Sequence, residues 1–484
     1  MVHFRSIFYL IGWLVLILAA AMIPSVLIDF FTNNPDYKVY LFSQAIMVFF
    51  GVLFVFSNKS ISEIEFDKRD SFILTAITWL VGIGFSSIPF VLSSINVSYT
   101  DAFFETVSGL TTTGATVLKN LDAMPKGILF WRAMLQWLGG IGIIVMALTL
   151  LTDMRVGGLE LFQSESSDRS EKFLPRIAQI AKVIFITYLS LTLLCFLALL
   201  ALRLSWFDAL CHSLSTVSTG GFSTHDLSIG FFQNKPLEYV LVLFMFLGGV
   251  TQLLFGHLFT KNWRLFFKDD QIKAYGLITL FFVGIVLVWN LMTQKGGDVF
   301  DLITQTIFNV VSAVTTTGFC SGDYNVWGGV ALMVFFFAPF IGGCTGSTAG
   351  GIKVFRFQVL WRFTFIYLQK LRRPHGVFLP KYNGKQISGS IFDSVAALFI
   401  LFIFCFAVLS FCLSLFGLDI VTTLSASASM LTSLGPGLGN HIGPSQTYTE
   451  LGDSVKWILM LGMLLGRLEL VTILILFLPS FWKD

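Results

Sequence analysis

Charge is scarce in this chain. Only 12% of its 484 residues are Asp, Glu, Lys or Arg, against 55% hydrophobic residues and a mean hydropathy of +0.80. Soluble domains carry about 25% charged residues, so water on every side is excluded. Histidine is also sparse. None of His3, His212, His225, His257, His375 and His441 falls in His-Glu-x-x-His spacing, which excludes that class of zinc protease. Cys195, Cys211, Cys320, Cys344, Cys405 and Cys412 show no pairing pattern or metal-ligand spacing, and most lie in apolar runs where Cys behaves as a small hydrophobe. A Gly-x-Ser-x-Gly elbow is absent. The best dinucleotide candidate, Gly437-Leu-Gly439-Asn-His-Ile442, lacks a third Gly and a βαβ context. Lys353 follows Ile352 and precedes Val354, so the Gly-Lys-Ser/Thr order of a phosphate loop is missing too. The chain is expected to be no enzyme and to hold no covalently bound cofactor.

Long apolar runs are what it has. Spans of about 20 such residues cross a bilayer, and ten are read: Phe8–Val26, Val39–Phe56, Phe72–Val91, Trp131–Leu151, Val183–Leu202, Tyr239–Phe259, Tyr275–Met292, Val330–Leu368, Val395–Leu418 and Val455–Phe477. An even number puts both termini on one side. Most Lys and Arg fall in alternate loops, with Arg5 on their side, and positive loops stay cytoplasmic. Lys38, Lys119, Lys126, Arg132, Arg203, Lys235, Lys295 and Lys456 remain outside, and Arg467, deep in the last span, is the one assigned to neither side. The net charge of +3 is therefore a topology signal that calls for no nucleic-acid partner. Phe8–Val26 has no small-residue cleavage site at its end and is read as a retained span.

Four segments superpose without gaps: Val107-Ser-Gly-Leu-Thr-Thr-Thr-Gly114, Leu214-Ser-Thr-Val-Ser-Thr-Gly-Gly221, Val311-Ser-Ala-Val-Thr-Thr-Thr-Gly318 and Ala428-Ser-Met-Leu-Thr-Ser-Leu-Gly435. A hydroxyl stands three before each final Gly (Thr111, Ser218, Thr315, Thr432) and a serine six before (Ser108, Ser215, Ser312, Ser429). Recurrence roughly every hundred residues marks an internal repeat. The stretches running from Asp101, Asp208, Asp301 and Asp419 to these glycines are too short for a crossing helix plus a strand, so each dips in and returns. Irregular backbone at that depth must be buried or line a watery cavity. The expected fold is an all-α polytopic membrane protein with four pseudo-symmetric helix–pore loop–helix repeats around one pore, plus an N-terminal two-helix hairpin. The divisions are 1–66 for the hairpin, then 67–155, 156–268, 269–385 with a gating loop, and 386–484.

A Thr-rich strand ending in Gly is what replaces an ion's water shell with backbone carbonyls in a channel filter. Gly takes φ > 0 at little cost and lets neighbouring carbonyls turn to the axis. The candidate filter set is Thr112, Thr113, Gly114; Thr219, Gly220, Gly221; Thr316, Thr317, Gly318; and Ser433, Leu434, Gly435. One aligned Gly per copy, rather than two, implies weaker discrimination between K⁺ and Na⁺. The eighth span is about twice the ~20 residues a crossing needs and is interrupted by Gly342-Gly-Cys-Thr-Gly-Ser-Thr-Ala-Gly-Gly351. Its glycines, Gly342, Gly343, Gly346, Gly350 and Gly351, cannot hold a stiff helix, and a loop below the filter is expected there. Arg467, near the middle of the last span, is expected to face the ion path; Glu469, two residues on, points elsewhere. Asp122, Asp226 and Asp323 follow three of the filters and can concentrate cations.

On Gly114, Gly221, Gly318, Gly435, the Gly-rich eighth span and Arg467, the whole chain resembles the Trk/Ktr/HKT superfamily of K⁺ transport proteins. Its leading two-helix extension and length resemble the TrkH/TrkG branch. That resemblance implies K⁺ (and Rb⁺) uptake across a bacterial inner membrane, both termini cytoplasmic, and K⁺ preference from glycine in every filter column. It also implies gating by the glycine loop, a cytoplasmic nucleotide-binding ring partner of TrkA type, and a homodimer. Lys370–Lys385, with Arg372 and Arg373, is the expected docking place. The alternative is a Na⁺- or H⁺-coupled secondary transporter of a small solute.

Overall fold

The computed structural model describes residues 3–59, 68–154, 173–259, 264–293 and 298–482. Two of the expected divisions, at 66/67 and 155/156, lie outside those residues. Among the described residues, apart from a two-residue antiparallel pairing of Lys381–Tyr382 with Lys385–Gln386, the regular structure is helical.

One order of elements occurs four times: long helix, short helix, irregular strand, second helix. The members are Lys68–Leu92, Tyr99–Leu110 and Lys126–Met154; Phe173–Ala201, Trp206–Val217 and Lys235–Gly248; Asp270–Thr293, Val299–Val314 and Gly329–Ile341; and Gly389–Ser414, Ile420–Thr432 and Asp453–Arg467. Among the described residues six helices have the length and apolarity to cross a membrane, and a seventh if the bent pair at the C-terminal end counts as one span. Their apolar residues face outward: Leu277, Leu280 and Phe281 are each at least 64% exposed, which suits lipid and not water.

The expected spans differ from the structure in three places. Tyr239–Phe259 is a helix only to Gly248 and resumes as the 3₁₀ segment Gln252–Phe259. Val330–Leu368 is two helices, Gly329–Ile341 and Val354–Arg372, separated by the glycine loop. The last span bends by 114° between Asp453–Arg467 and Leu470–Phe477.

The short helices owe their starts to side-chain caps. Ser98 and Ser205 accept from the amides of Asp101 and Asp208 at 3.0 Å, and Asp298 and Asp419 accept from Phe300 and Thr422. Asp101 and Asp208 thus sit in the first turn and are not the caps. The N-terminal hairpin, Phe4–Phe31 with Tyr37–Ser57, closes at Gly12 and Gly51, where a Cβ on Gly12 would stand 2.9 Å from the Gly51 carbonyl oxygen. Buried Asp29 pins it to the first repeat by accepting from Gly127 N at 2.7 Å, at the start of Lys126–Met154.

Candidate ion pathway

Each short helix ends in the same way. Its column hydroxyl folds back on the helix: Thr111, Ser218 and Thr432 donate to the carbonyls four residues earlier at 2.7–2.8 Å, and Thr315 to Ser312 at 3.2 Å. The column serine's carbonyl then catches the amide just before the glycine, in the pairs Thr113–Ser108, Gly220–Ser215, Thr317–Ser312 and Leu434–Ser429, at 2.8–3.0 Å. Between these anchors the backbone alternates. Thr112, Thr219, Thr316 and Ser433 are left-handed with φ of 50–57°, the next residue is not, and Gly114, Gly221, Gly318 and Gly435 are left-handed again at 79–100°. Alternation of this kind gathers the polar groups of successive residues on common sides. Three threonines and a serine in that region are a cost that a scaffold must hold in place.

The four strands close on one another in order. A Cβ on Gly114 would meet the Gly220 carbonyl oxygen, one on Gly221 that of Thr317, one on Gly318 that of Leu434, and one on Gly435 that of Thr113. Repeat one thus abuts two, two abuts three, three abuts four and four abuts one: a closed ring with backbone against backbone. Leu434 and Pro436 change the side chains of the fourth strand but not its path. Carbonyls of the ring are already engaged, and Gly318 O accepts from Cys320 Sγ at 3.7 Å. Gly220 O accepts from Gln136 Nε2 at 2.5 Å, and Gly435 O from Ser429 Oγ at 2.9 Å and Tyr448 Oη at 2.8 Å. Gln136 and Tyr448 carry no signal in the sequence, because they reach the ring from other elements.

On the far side of the glycines the strands open into a cavity of about 390 Å³, walled in part by Gly114, Gly221, Gly318, Pro436, His225 and Asp226. Of the three carboxylates expected to draw cations, only Asp226 lines it. Asp122 is bonded to His225 Nδ1, whose ring stacks on Phe231 at 3.6 Å, and Asp323 caps the 3₁₀ turn Tyr324–Trp327.

At the opposite end, the glycine loop lies against three strands. Thr348 Oγ1 is 3.1 Å from the Val217 carbonyl and 3.2 Å from Thr219 Oγ1; Gly350 N donates to Thr316 Oγ1 at 2.6 Å; Gly351 N donates to the Thr432 carbonyl at 3.0 Å. Gly342, Gly346 and Gly351 take left-handed φ, while Gly343 and Gly350 are where the Gly249 and Thr432 carbonyls come close. Lys353 is also left-handed, at φ 82°, and its Nζ binds the Ala349 carbonyl. Arg467 is not at mid-helix: it is the last residue of Asp453–Arg467, buried, and its Nη1 donates to the Thr348 carbonyl at 2.8 Å. Glu469 turns away with φ 52° and pairs with Arg356 at 2.7 Å. A cavity of about 50 Å³ beside that contact is lined by loop residues, among them Gly346, Gly350 and Gly351, together with Arg356, Arg467 and Glu469.

The family described as TrkH, cation transport protein, matches residues 41–483. The chain belongs to the TrkH family. Its relatives include the Trk system potassium uptake protein TrkI of Halomonas elongata, 38% identical over 97% of this chain and 95% of that one. The Trk system potassium uptake protein TrkH of Escherichia coli K12 is 34% identical over the full length of both. The crystal structure of the potassium transporter TrkH from Vibrio parahaemolyticus superposes with a TM-score of 0.92 at 34% identity, covering 99% of this chain and 100% of that one. Among the described residues no group of three or more His, Cys, Asp or Glu could hold a metal ion, and the six cysteines are free. The polar chemistry of this TrkH-family chain is concentrated instead in backbone groups and hydroxyls around the ring.

Proposed function

We propose that this chain takes K⁺ into a bacterium across the inner membrane, with the four-glycine ring as its selectivity filter and the Gly342–Gly351 loop, with Arg467, as its gate. The observation that carries the reading is the closed order of the ring, in which four chemically similar strands meet around one axis. Backbone oxygens at that axis replace the water of a monovalent cation, and Rb⁺ passes as a close substitute. The loop constricts the inner end, bonded to strands two, three and four, and sets the basal flux. Both termini are cytoplasmic, the apolar helices face the bilayer, and a second copy makes a homodimer with one pore in each subunit. A cytoplasmic nucleotide-binding ring of TrkA type docks on the basic stretch Lys370–Lys385 and opens the loop by moving the helix Val354–Arg372, which leads directly out of it.

The coupled-transporter reading has weaker support. Its main candidate for a proton relay, Glu469, is occupied by the ion pair with Arg356. Reconstituted into liposomes, the purified chain is expected to admit ⁸⁶Rb⁺ down a K⁺ gradient with no Na⁺ or H⁺ gradient imposed. Uptake that requires such a gradient overturns the passive pore in favour of coupling.

A further inference from the structure

Nine residues before the ring glycines, the short helices carry Glu105, His212, Asn309 and Ala426. The first three are polar and buried to within 1% of full. Each reaches the strand that leaves the glycine of its own repeat. Glu105 accepts from Thr116 Oγ1 at 2.9 Å and Val117 N at 3.0 Å. His212 Nδ1 donates to the Asp208 carbonyl at 2.8 Å, which leaves Nε2 to accept from Ser223 Oγ at 2.9 Å. Asn309 donates to Ser321 Oγ at 3.0 Å and accepts from Ser321 N at 3.2 Å.

Glu105 has a further partner. Arg132 Nε donates to it at 2.7 Å, with both side chains buried, while Arg132 Nη1 donates to the Ser223 carbonyl at 2.9 Å. One charged pair therefore ties the outgoing strands of repeats one and two together. The fourth repeat does without: Ser425, one residue earlier, accepts from Leu438 N at 3.0 Å, and Asn325 of the third repeat holds Gly439.

A carboxylate, an imidazole and an amide buried at one register are costly unless they are fully partnered, and Ala426 shows that a small apolar residue fills the position. The three share a target instead, two or three residues past a filter glycine, where a hydrogen bond limits how far the glycine's peptide can rotate. We propose that Glu105 with Arg132, His212 and Asn309 are positioning residues that set the aperture of the ring from behind, acting through the outgoing strands and touching no ion. The inference rests on the filter reading above.

The test measures the ratio of K⁺ to Na⁺ uptake in liposomes, with thermal unfolding on the same preparations, for Asn309→Ala, His212→Ala and His212→Gln, with Gly318→Ser as the benchmark. Both alanine variants are expected to lower the ratio severalfold while unfolding within a few degrees of the parent. His212→Gln, whose amide oxygen still accepts from Ser223, restores the ratio. If an alanine variant does not fold, Ser223→Ala removes the His212 bond from the strand side and Ser321→Ala the side-chain member of Asn309's two bonds, and the same ratio is read. If Gly318→Ser shifts the ratio while the alanine variants keep the parent's value, the positioning role is overturned and the filter reading stands. If Gly318→Ser leaves the ratio unchanged as well, both fall.

Discussion

A single added carbon at Gly318 would press on the Leu434 carbonyl oxygen, in a backbone region with φ of 81° that L side chains rarely adopt. Gly318→Ser and Gly114→Ser are therefore expected to lower the K⁺ over Na⁺ permeability ratio in liposomes. Gly389→Ser, where a Cβ meets open space, is expected to leave it unchanged. Equal ratios in all three would count against the ring as a filter. His225 makes a second prediction, about pH. Burial opposes a charged imidazole there, but the carboxylates of Asp208 and Asp122 outweigh it and raise its pKa above 6.5. The hydrogen bond to His225 is the main cause that holds Asp122 below its ordinary 3.8. A raised histidine adds stability that is complete below 6.5 and lost as pH rises through its folded-state value; the lowered carboxylate adds stability that is lost only as pH falls through its own. The difference in unfolding temperature between the parent and His225→Gln should then be largest in mildly acidic buffer and shrink through the alkaline range. A difference that does not change with pH would contradict the bridge.

Two broken elements meet on the side of the ring away from the larger cavity, and they were legible to different degrees. The break at Gly342–Gly351 is written in composition, since five glycines among small residues cannot sustain a helix. The break at Arg467–Glu469 is not, because Leu468 and Glu469 are ordinary helix formers; the bend is held by partners far along the chain, Thr348 for Arg467 and Arg356 for Glu469. The same limit hid the roles of Arg132 and Lys456. In the sequence they look like outer-loop charges, yet both are buried and paired, with Glu105 and Asp101. If Arg467 repels K⁺ at about 5 Å in an effective dielectric near 20, the barrier is on the order of 3 kcal/mol. Arg467→Gln is expected to raise Rb⁺ flux and lose one charge-assisted hydrogen bond, worth about 1.5–3 kcal/mol. Lower thermal stability without higher flux would make Arg467 a strut and not a gate. Deleting part of Gly342–Gly351 should likewise raise flux and weaken its dependence on the cytoplasmic partner; a folded deletion with unchanged or lower flux would make the segment a packing feature.

For the whole molecule, fourfold repetition was the strongest signal in the sequence, because a ring built from one chain needs the same backbone at four places and so the same small residues. Thr111 and its counterparts are the hydroxyls that fold back on each short helix, and Ser108 and its counterparts supply the carbonyls that start each strand. The left-handed Thr112, Thr219, Thr316 and Ser433 escaped notice, since nothing about threonine or serine announces that conformation. Nor does the sequence show that Gly114 meets Gly220, and Gly435 meets Thr113, contacts that exist only once the ring is closed. A filter requires an ion inside that closure. Crystals of the purified chain soaked in Rb⁺ and measured at its absorption edge test this directly. Anomalous peaks on the axis enclosed by Gly114, Gly221, Gly318 and Gly435 are the predicted result. Ordered strands with no peak there, in protein that still takes up ⁸⁶Rb⁺ in liposomes, would place the ion path elsewhere and contradict the filter.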